Sequence, residues 1–174
     1  MTFPEARLRT GLPAAEAKAF AKETTHHPGW VHDLIRISSH PEGGTVPRKA
    51  AWVLRHAALM SPACIRGRAS AILDAVDACQ DASVHRELLK ALLEAPKDEL
   101  SALGESLNDL GLGLCADPKS PVAMVHVGVM LLHASSLPLG EEVVEVWREK
   151  GRSAPTQPLA RFLAKQLAAL KGHS

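Results

Sequence analysis

Tyrosine is absent from this 174-residue chain, and phenylalanine and tryptophan together supply only 3% of its residues. Strands are typically rich in aromatic and β-branched residues, whereas alanine and leucine are among the strongest helix formers. With so few aromatic residues, the core must be built mainly from leucine, alanine and valine. This composition favours an all-α fold.

Cysteines are few as well: there are three, an odd number, and none belongs to a CxxC motif or to a short cluster of histidines and cysteines. A secreted domain held together by disulfides typically has an even number of cysteines. Cys64, Cys79 and Cys115 are therefore expected to be reduced and mostly buried thiols. The first residues lack the continuous apolar segment of a secretory signal, and we expect a cytoplasmic protein.

Neither sign of charge dominates the chain, because its 20 lysines and arginines are balanced by 19 aspartates and glutamates, which gives a net charge of +1. A chain without a strong positive field is not expected to coat nucleic acid or to adhere to a membrane surface. The longest apolar tract, Val122 to Leu132, is far shorter than the roughly 20 residues that span a bilayer. It also contains His126. No membrane association is predicted.

The chain also lacks the common catalytic motifs: a GxSxG elbow, a phosphate-binding loop and a glycine-rich dinucleotide fingerprint. Gly111 and Gly113 stand alone and are predicted, together with Asp117–Pro118, to end a helix. Asp74 and Asp77 share one helix face, but no general base or nucleophile accompanies them, so we expect solvated carboxylates. No catalytic residue and no cofactor is predicted, and we expect a protein that is not an enzyme.

Nine histidines raise the question of a metal site. Four of them lie in the weakly patterned N-terminal region without a cysteine or an HExxH companion: His26, His27, His32 and His40. His126 and His133 are seven residues apart, which separates them by about 10 Å along a helix, too far to share one ion. We therefore predict no metal site and expect these two to be buried histidines with satisfied hydrogen bonds.

Four hydrophobic segments repeat at a spacing of 38 residues, which is the most informative positive feature of the sequence. Corresponding positions at their starts are Val46, Val84, Val122 and Ala160, and the register continues inside each segment. A period in the high thirties with helical patterning is typical of stacked helix pairs, each of which buries its apolar face against its neighbours. We predict one domain over 1–174, with an atypical N-terminal cap at 1–27 and a repeat array at 28–172.

The apolar spacing, together with proline and glycine positions, predicts the helices of this array. A helix starting at Pro28 should stop before a turn at His40–Gly44. The inner helices should begin near Pro47, Val84, Pro121 and Ala160. The outer helices are predicted at Ala69–Val76, Leu100–Leu110 and Glu141–Lys150.

Four segments carry a resemblance to a known class of proteins: RKAAWVLRHA at 48–57, HRELLKALLE at 85–94, DPKSPVAMVHVGVMLLH at 117–133 and RFLAKQLAAL at 161–170. They resemble small bacterial HEAT-like, armadillo-type helical repeat proteins over about Trp30 to Leu170. The resemblance implies an α-solenoid, a right-handed superhelix of stacked antiparallel helix pairs that presents a concave surface to a partner. It brings no catalytic residues.

One surface of the predicted array combines an aromatic ring with positive charge. On a helical wheel, Arg48, Trp52 and Arg55 lie opposite the apolar side of their helix. The 38-residue register places Arg86 and Lys90 in the same columns as Arg48 and Trp52. We name these five residues the basic strip and predict that it docks a protein or an acidic peptide, with Trp52 as the anchor and the arginines as forked donors.

Other interpretations stay open at the level of sequence. Trp52 could instead wedge against an adjoining helix while the arginines pair with nearby carboxylates. Some HEAT-like proteins are DNA glycosylases that use tryptophans and an aspartate on a basic face, and Trp30, Asp33 and Trp52 could imitate that set. A DNA-binding protein or a DNA glycosylase-like enzyme is therefore the alternative to a scaffold. A small-molecule or regulatory helper of an enzyme is a third.

Overall fold

The computed structural model describes residues 2–41, 44–154 and 156–171, and every regular element within these ranges is helical. This confirms the prediction of an all-α fold. The α-helices, numbered α1 to α11 in chain order, are Ala6–Arg9, Ala14–Thr24, Pro28–Ser38, Thr45–Met60, Ala69–Ala78, Ala82–Leu92, Lys97–Ala102, Gly104–Ala116, Val122–Ala134, Glu141–Arg152 and Gln157–Lys171. A short 3₁₀ helix, Pro62–Ile65, lies between α4 and α5.

Local sequence signals explain several helix starts. Pro28 occupies the first position of α3, where its fixed φ suits a helix and its missing N–H is not needed. Gly44 precedes α4 with a φ of 110°, a conformation that glycine adopts without strain. Asp81 caps α6, since its carboxylate accepts hydrogen bonds from the backbone N–H groups of Ser83 at 2.9 Å and Val84 at 3.2 Å.

The helices form two compact units, Met1–Leu100 and Ser101–Ser174. In the first unit α4 is central and packs against α2, α3 and α6, while α5 packs against α3 and α6. Side-chain contacts of Arg48 with Asp81 and of Arg55 with Glu87 join α4 to α6 in ascending order, so these helices are parallel neighbours. The core between the helices contains Val31, Leu34, Val53, Leu54, Ile72, Leu88 and Leu92.

In the second unit α8 packs against α9 and α10, and α10 packs against α11. Helices α8 and α9 are antiparallel, because Gly111 approaches Gly128 whereas Cys115, further along α8, donates to the earlier carbonyl of Val125. The core of this unit is mainly aliphatic and surrounds the large indole ring of Trp147. Its buried residues are Cys115, Val125, Val129, Leu132, Val143, Trp147, Leu159 and Leu163.

The two glycines of α8 correct one prediction. The helix continues through Gly111 and Gly113 to Ala116 and has Asp117 as its C-cap, so the predicted end at Asp117–Pro118 is confirmed and the expectation that the glycines end it was wrong. A Cβ atom at Gly111 would lie 2.8 Å from the carbonyl oxygen of Gly128 and 2.8 Å from Cγ of Leu132. Gly111 is therefore required for the close approach of two helices and not for a turn.

Other helix bounds agree with the predictions to within about three residues, with one exception. The segment Leu100–Leu110 was predicted as one helix, but α7 ends at Ala102 and α8 begins at Gly104. The predicted turn at His40–Gly44 separates α3 from α4, although Glu42 and Gly43 lie outside the described residues. Among the helices that the structure describes, none has the length and apolarity required to cross a membrane.

Residues 2–27, expected to form an atypical cap, contain α1 and α2. Helix α2 buries Ala17, Phe20 and Ala21. The ring of Phe20 lies 5.8 Å from that of Phe3 and 5.8 Å from that of Trp30, measured between centroids. Half of the chain's six aromatic residues are thus concentrated where this N-terminal segment meets α3.

Candidate functional site

The basic strip lies on the neighbouring helices α4 and α6 of the first unit, on faces that point away from the core. Arg48 is exposed, and Trp52, Arg55, Arg86 and Lys90 are partly exposed. The buried positions of α4 alternate with these at helical spacing, as the wheel predicted. The carboxylate of Asp81, the N-cap of α6, contacts Arg48 of α4, and the carboxylate of Glu87 contacts both Arg55 of α4 and Arg86 of α6.

Arg48 binds the carboxylate that caps α6. Its Nε and Nη2 both lie 2.8 Å from Oδ2 of Asp81, whose side chain is only 9% exposed. The hydrogen bond from Arg48, together with those from the backbone N–H groups of Val84 and Ser83, lowers the pKa of Asp81 to about 2. The same bond raises the pKa of Arg48 above its ordinary value. This pair therefore stays ionised throughout the physiological range.

A second carboxylate serves two arginines at once. Nη1 of Arg55 donates to Oε2 of Glu87 at 3.0 Å, and Nε of Arg86 donates to Oε1 of the same residue at 3.0 Å. The Glu87 side chain is 7% exposed, whereas those of Arg55 and Arg86 are 30% and 43% exposed. One buried carboxylate cannot neutralise two guanidinium groups, so a positive charge remains at the surface of this cluster.

Trp52 stacks on the imidazole of His56, one turn later in α4, with ring centroids 3.5 Å apart and an interplanar angle of 23°. Its indole also lines a cleft of about 340 Å³ between α2 and α4. Leu12, Ala14 and Ala17 form the apolar wall of the cleft on the α2 side. Trp52 therefore packs against its own helix and also forms part of the wall of a cleft that α2 borders.

Two basic side chains complete the cleft between α2 and α4. These are Arg48 and Lys49, both on α4. The ammonium group of Lys49 donates to the backbone carbonyl oxygens of Leu8 at 3.1 Å and Thr10 at 2.5 Å, which belong to the end of α1. The ammonium group of Lys49 therefore holds the end of α1, and the guanidinium group of Arg48 is paired with Asp81, although its side chain is 57% exposed at the cleft.

The structure joins three of the five predicted residues, Arg48, Arg55 and Arg86, to carboxylates that the sequence did not indicate. The alternative interpretation, in which the arginines pair with nearby carboxylates, agrees with the ion pairs of Arg48, Arg55 and Arg86. Asp81 could have been recognised as an N-cap from its position before Ser83 and Val84. Glu87 carried no signal, because a carboxylate on the buried side of α6 departs from the usual pattern.

The thiols of Cys64 and Cys115 are poorly suited to nucleophilic chemistry. All three cysteines are buried, as predicted, and burial raises the pKa of Cys64 and of Cys115 to about 11 in each case. The aspartates that share a face of α5, Asp74 and Asp77, are exposed. The cysteines therefore have the character of structural thiols, and the two aspartates that of solvated carboxylates.

Two histidines of the second unit differ from expectation. His133 is exposed, and its Nε2 lies 2.9 Å from Oε1 of Gln166 on α11, so the prediction of a buried side chain was wrong. His126 is half-buried with its ring 4.2 Å from that of Phe162, and its buried Nε2 has no hydrogen-bond partner among the described residues. Over the same residues, no three histidines, cysteines or carboxylates come together as metal ligands.

The residues that could imitate a DNA glycosylase are not arranged on a common surface. Trp30 is 5% exposed, and its ring meets those of Phe3 and Phe20 in the interior. Asp33 lies 3.5 Å from Arg36 of the same helix in a partly exposed ion pair. A buried indole cannot stack on a base that has been flipped out of a duplex. Trp52 lines the cleft between α2 and α4, to which neither Trp30 nor Asp33 contributes.

A second concavity lies along α10 and has a volume of about 540 Å³. Although this volume exceeds that of the cleft at Trp52, its lining comes from a single helix: Glu141, Glu142, Val144, Glu145 and Arg148. Arg148 forms an ion pair with Glu145 one turn earlier. These side chains form a solvated, charged helix face, and the cleft between α2 and α4 is the better candidate for binding.

Comparisons with models of known protein families, with curated proteins and with solved structures gave no match to this chain.

Proposed function

We propose that the chain is a cytoplasmic, non-enzymatic scaffold of HEAT-like helical repeats that binds a protein or peptide through the basic strip. The charge balance of the strip is the observation that carries this proposal. Its four cationic side chains outnumber the two carboxylates that its arginines contact, Asp81 and Glu87. A positive surplus beside an aromatic ring and an apolar cleft suits a partner that carries both carboxylates and an apolar side chain.

Three side-chain contacts support the helical-repeat part of the proposal, because each joins residues 33 positions apart: Arg48 with Asp81, Lys150 with Asp117, and His133 with Gln166. One of these contacts lies in the first unit and two lie in the second. A recurring separation is what nearest-neighbour stacking of similar helix pairs produces. The single array over 28–172 and its right-handed superhelix belong to the same proposal.

Selection from a library of random peptides displayed on phage tests the binding function with the full chain as bait. We expect the enriched peptides to be acidic and to contain an apolar residue. Synthetic versions should bind at least about tenfold more weakly to a Trp52→Ala/Lys90→Glu variant, measured by fluorescence anisotropy. Both substitutions lie at partly exposed positions, so circular dichroism should show an unchanged helix content.

Arg66→Glu is the matched control, because Arg66 is an exposed arginine outside the strip. It changes the net charge of the chain as much as Lys90→Glu does, and we expect it to leave peptide affinity within about twofold of the original. Peptides without an acidic bias, or peptides that bind the strip variant as tightly as the original chain, would contradict the proposal.

A nucleic acid is the second candidate partner, because the positive surplus of the strip would also attract phosphates. The buried position of Trp30 weighs against a DNA glycosylase-like enzyme. Anisotropy of fluorescent single- and double-stranded DNA, titrated with the chain at low and high salt, separates the two candidates. Tight binding with a steep dependence on salt would favour the nucleic acid over the peptide.

A further inference from the structure

The outward face of α4 has two apolar features at a helical spacing. Trp52 lines the cleft at one of them, and Leu59 is 55% exposed at the other. Seven residues separate these positions, which is close to two helical turns, so both side chains lie on the same face about 10.5 Å apart along the axis. An exposed leucine alone needs no explanation, but this one continues the line of the basic strip.

The surplus charge of the Glu87 cluster lies between these two apolar features. Arg55 is three residues after Trp52 and four residues before Leu59, and it shares the Glu87 carboxylate with Arg86. The order along the surface is therefore an apolar cleft, a positive cluster and an exposed leucine. The neighbouring helix α6 borders the positive cluster with the partly exposed side chain of Arg86.

We infer that the partner presents an amphipathic helix with two apolar side chains at positions i and i+7 and with carboxylates at i+3 and i+4, lying along α4. This inference rests on the proposed function of the basic strip and specifies what the strip binds. The first apolar side chain enters the cleft between α2 and α4, and the second packs on Leu59. The carboxylates face the cluster formed by Arg55 and Arg86.

The spacing favours a helix over an extended segment. In a helix, residues i and i+7 reproduce the 10.5 Å between the apolar features and point to one side. In an extended strand, residues about 10 Å apart are three positions apart and point to opposite sides. The cleft of about 340 Å³ is at the lower end of the roughly 300–1,000 Å³ of small-ligand pockets, and it has room for one large apolar side chain.

Three fluorescein-labelled peptides of identical composition, built on an alanine–glutamine helix, test the inference. The first has leucines at positions 5 and 12 and glutamates at 8 and 9. The second moves the later leucine to position 10, on the other side of the helix. The third moves the glutamates to positions 7 and 14, behind the leucines. We expect the full chain to bind the first peptide at least about tenfold more tightly than either rearranged one, by anisotropy.

Two neighbouring residues of α4 provide a matched pair of variants. Leu59 and Met60 are 55% and 49% exposed, but they point about 100° apart around the helix. Leu59→Gln should weaken binding of the first peptide about tenfold, whereas Met60→Gln should change it less than about twofold. Both residues are about half exposed and neither belongs to the buried core, so neither substitution empties a core position.

The outcomes separate this inference from the proposed function. Equal binding of all three peptides would overturn the helical partner while leaving an acid-binding strip in place. Binding of none of them, with acidic peptides still enriched from the phage library, would overturn the helical partner alone. Equal effects of Leu59→Gln and Met60→Gln would remove Leu59 from the site and overturn the proposed spacing. Failure of the phage selection is the separate result that overturns the proposed function.

Discussion

At the scale of single residues, Asp81 connects the fold to the candidate site. Its carboxylate accepts two backbone hydrogen bonds at the start of α6 and binds Arg48 of α4. The same group therefore begins one helix, fixes its position beside another and orients an arginine of the strip. Removal of this carboxylate should affect both stability and binding.

Asp81→Ala should lower the free energy of unfolding by about 1–2 kcal/mol at pH 7, the upper part of the range for losing an N-cap. The pKa of Asp81 is lowered from its ordinary 3.8 to about 2, so its stabilising contribution is complete above about pH 4. The contribution is lost as the pH falls from about 4 towards 2, because protonation removes the favourable charge. Urea unfolding followed by circular dichroism at pH 7 and at pH 2.5 measures the difference.

Asp77→Ala is the control for Asp81→Ala, because Asp77 is an exposed aspartate near the end of α5. A negative charge at that end opposes the helix dipole, so its removal should leave stability unchanged or slightly raised. A loss for Asp81→Ala that is the same at pH 2.5 as at pH 7 would show that its carboxylate is not the source of the stability.

The positions of the strip could be predicted from sequence, whereas its ion pairs could not. Helical periodicity correctly placed Arg48 and Arg55 away from the core. The 38-residue register aligned Arg48 with Arg86, yet Arg48 contacts Asp81, which is 33 residues later. The parallel helices are offset along their axes, and this offset depends on how side chains pack between them. No local sequence pattern contains that information.

At the scale of helices, Gly111 and Gly113 show that glycine can have different structural roles within one helix. Both were predicted to end a helix, since glycine is common just after helix ends. Gly111 lies where α8 crosses α9, and Gly128 occupies the corresponding place on α9. Gly113 is two residues further along the same helix but is exposed, with no atom within 4 Å of an added Cβ.

Gly111→Ala and Gly113→Ala should therefore change stability in opposite directions. The methyl group at position 111 would lie 2.8 Å from the backbone oxygen of Gly128, so α8 and α9 must separate, and we expect a loss of about 1–3 kcal/mol. Gly113→Ala should raise stability by about 0.4–1 kcal/mol, because alanine favours an exposed helix position. Thermal unfolding of the two variants measures both effects, and a loss of similar size in both would contradict the crossing at Gly111.

The break between α7 and α8 illustrates where helical spacing fails as a predictor. Leucines at 100, 103, 107 and 110 continue at heptad-like intervals across the break. A Cβ at Gly104 would lie 2.8 Å from the carbonyl oxygen of Ser135, so the first residue of α8 is pressed against the end of α9. Leu103, with φ −97° and ψ 13°, departs from helical geometry and separates α7 from α8. Packing within the second unit thus overrides an uninterrupted apolar pattern.

At the scale of the whole molecule, a net charge of +1 means that any attraction for an acidic partner arises locally. The surplus on the basic strip is balanced by acidic residues elsewhere, including Glu141, Glu142 and Glu145 on α10. Long-range steering is weak for a nearly neutral chain, and charges beyond about 8–10 Å are screened at physiological salt. Affinity should then depend on the residues of the strip themselves, which is why Arg66→Glu is an informative control.

The reactivity of the three buried cysteines reports on local unfolding in each of the two units. Cys64 and Cys79 lie in the first unit and Cys115 in the second. With the pKa of Cys64 and Cys115 raised to about 11, the thiolate fraction of each at pH 8 is about 10⁻³. We expect both to react with iodoacetamide at least about a hundredfold more slowly in the native chain than in guanidinium chloride, measured by mass spectrometry of peptides.

The same labelling should show whether Gly111→Ala destabilises only the crossing of α8 and α9 or the whole chain. In Gly111→Ala, separation of α8 from α9 should speed the labelling of Cys115, whose Sγ bonds to the carbonyl oxygen of Val125 across that crossing. Cys64 is in the other unit and should keep its native rate. Because both cysteines are read from one digest, each serves as the internal reference for the other. Equal acceleration at Cys64 and Cys115 would mean that the added methyl group destabilises the whole chain and not the crossing of α8 and α9.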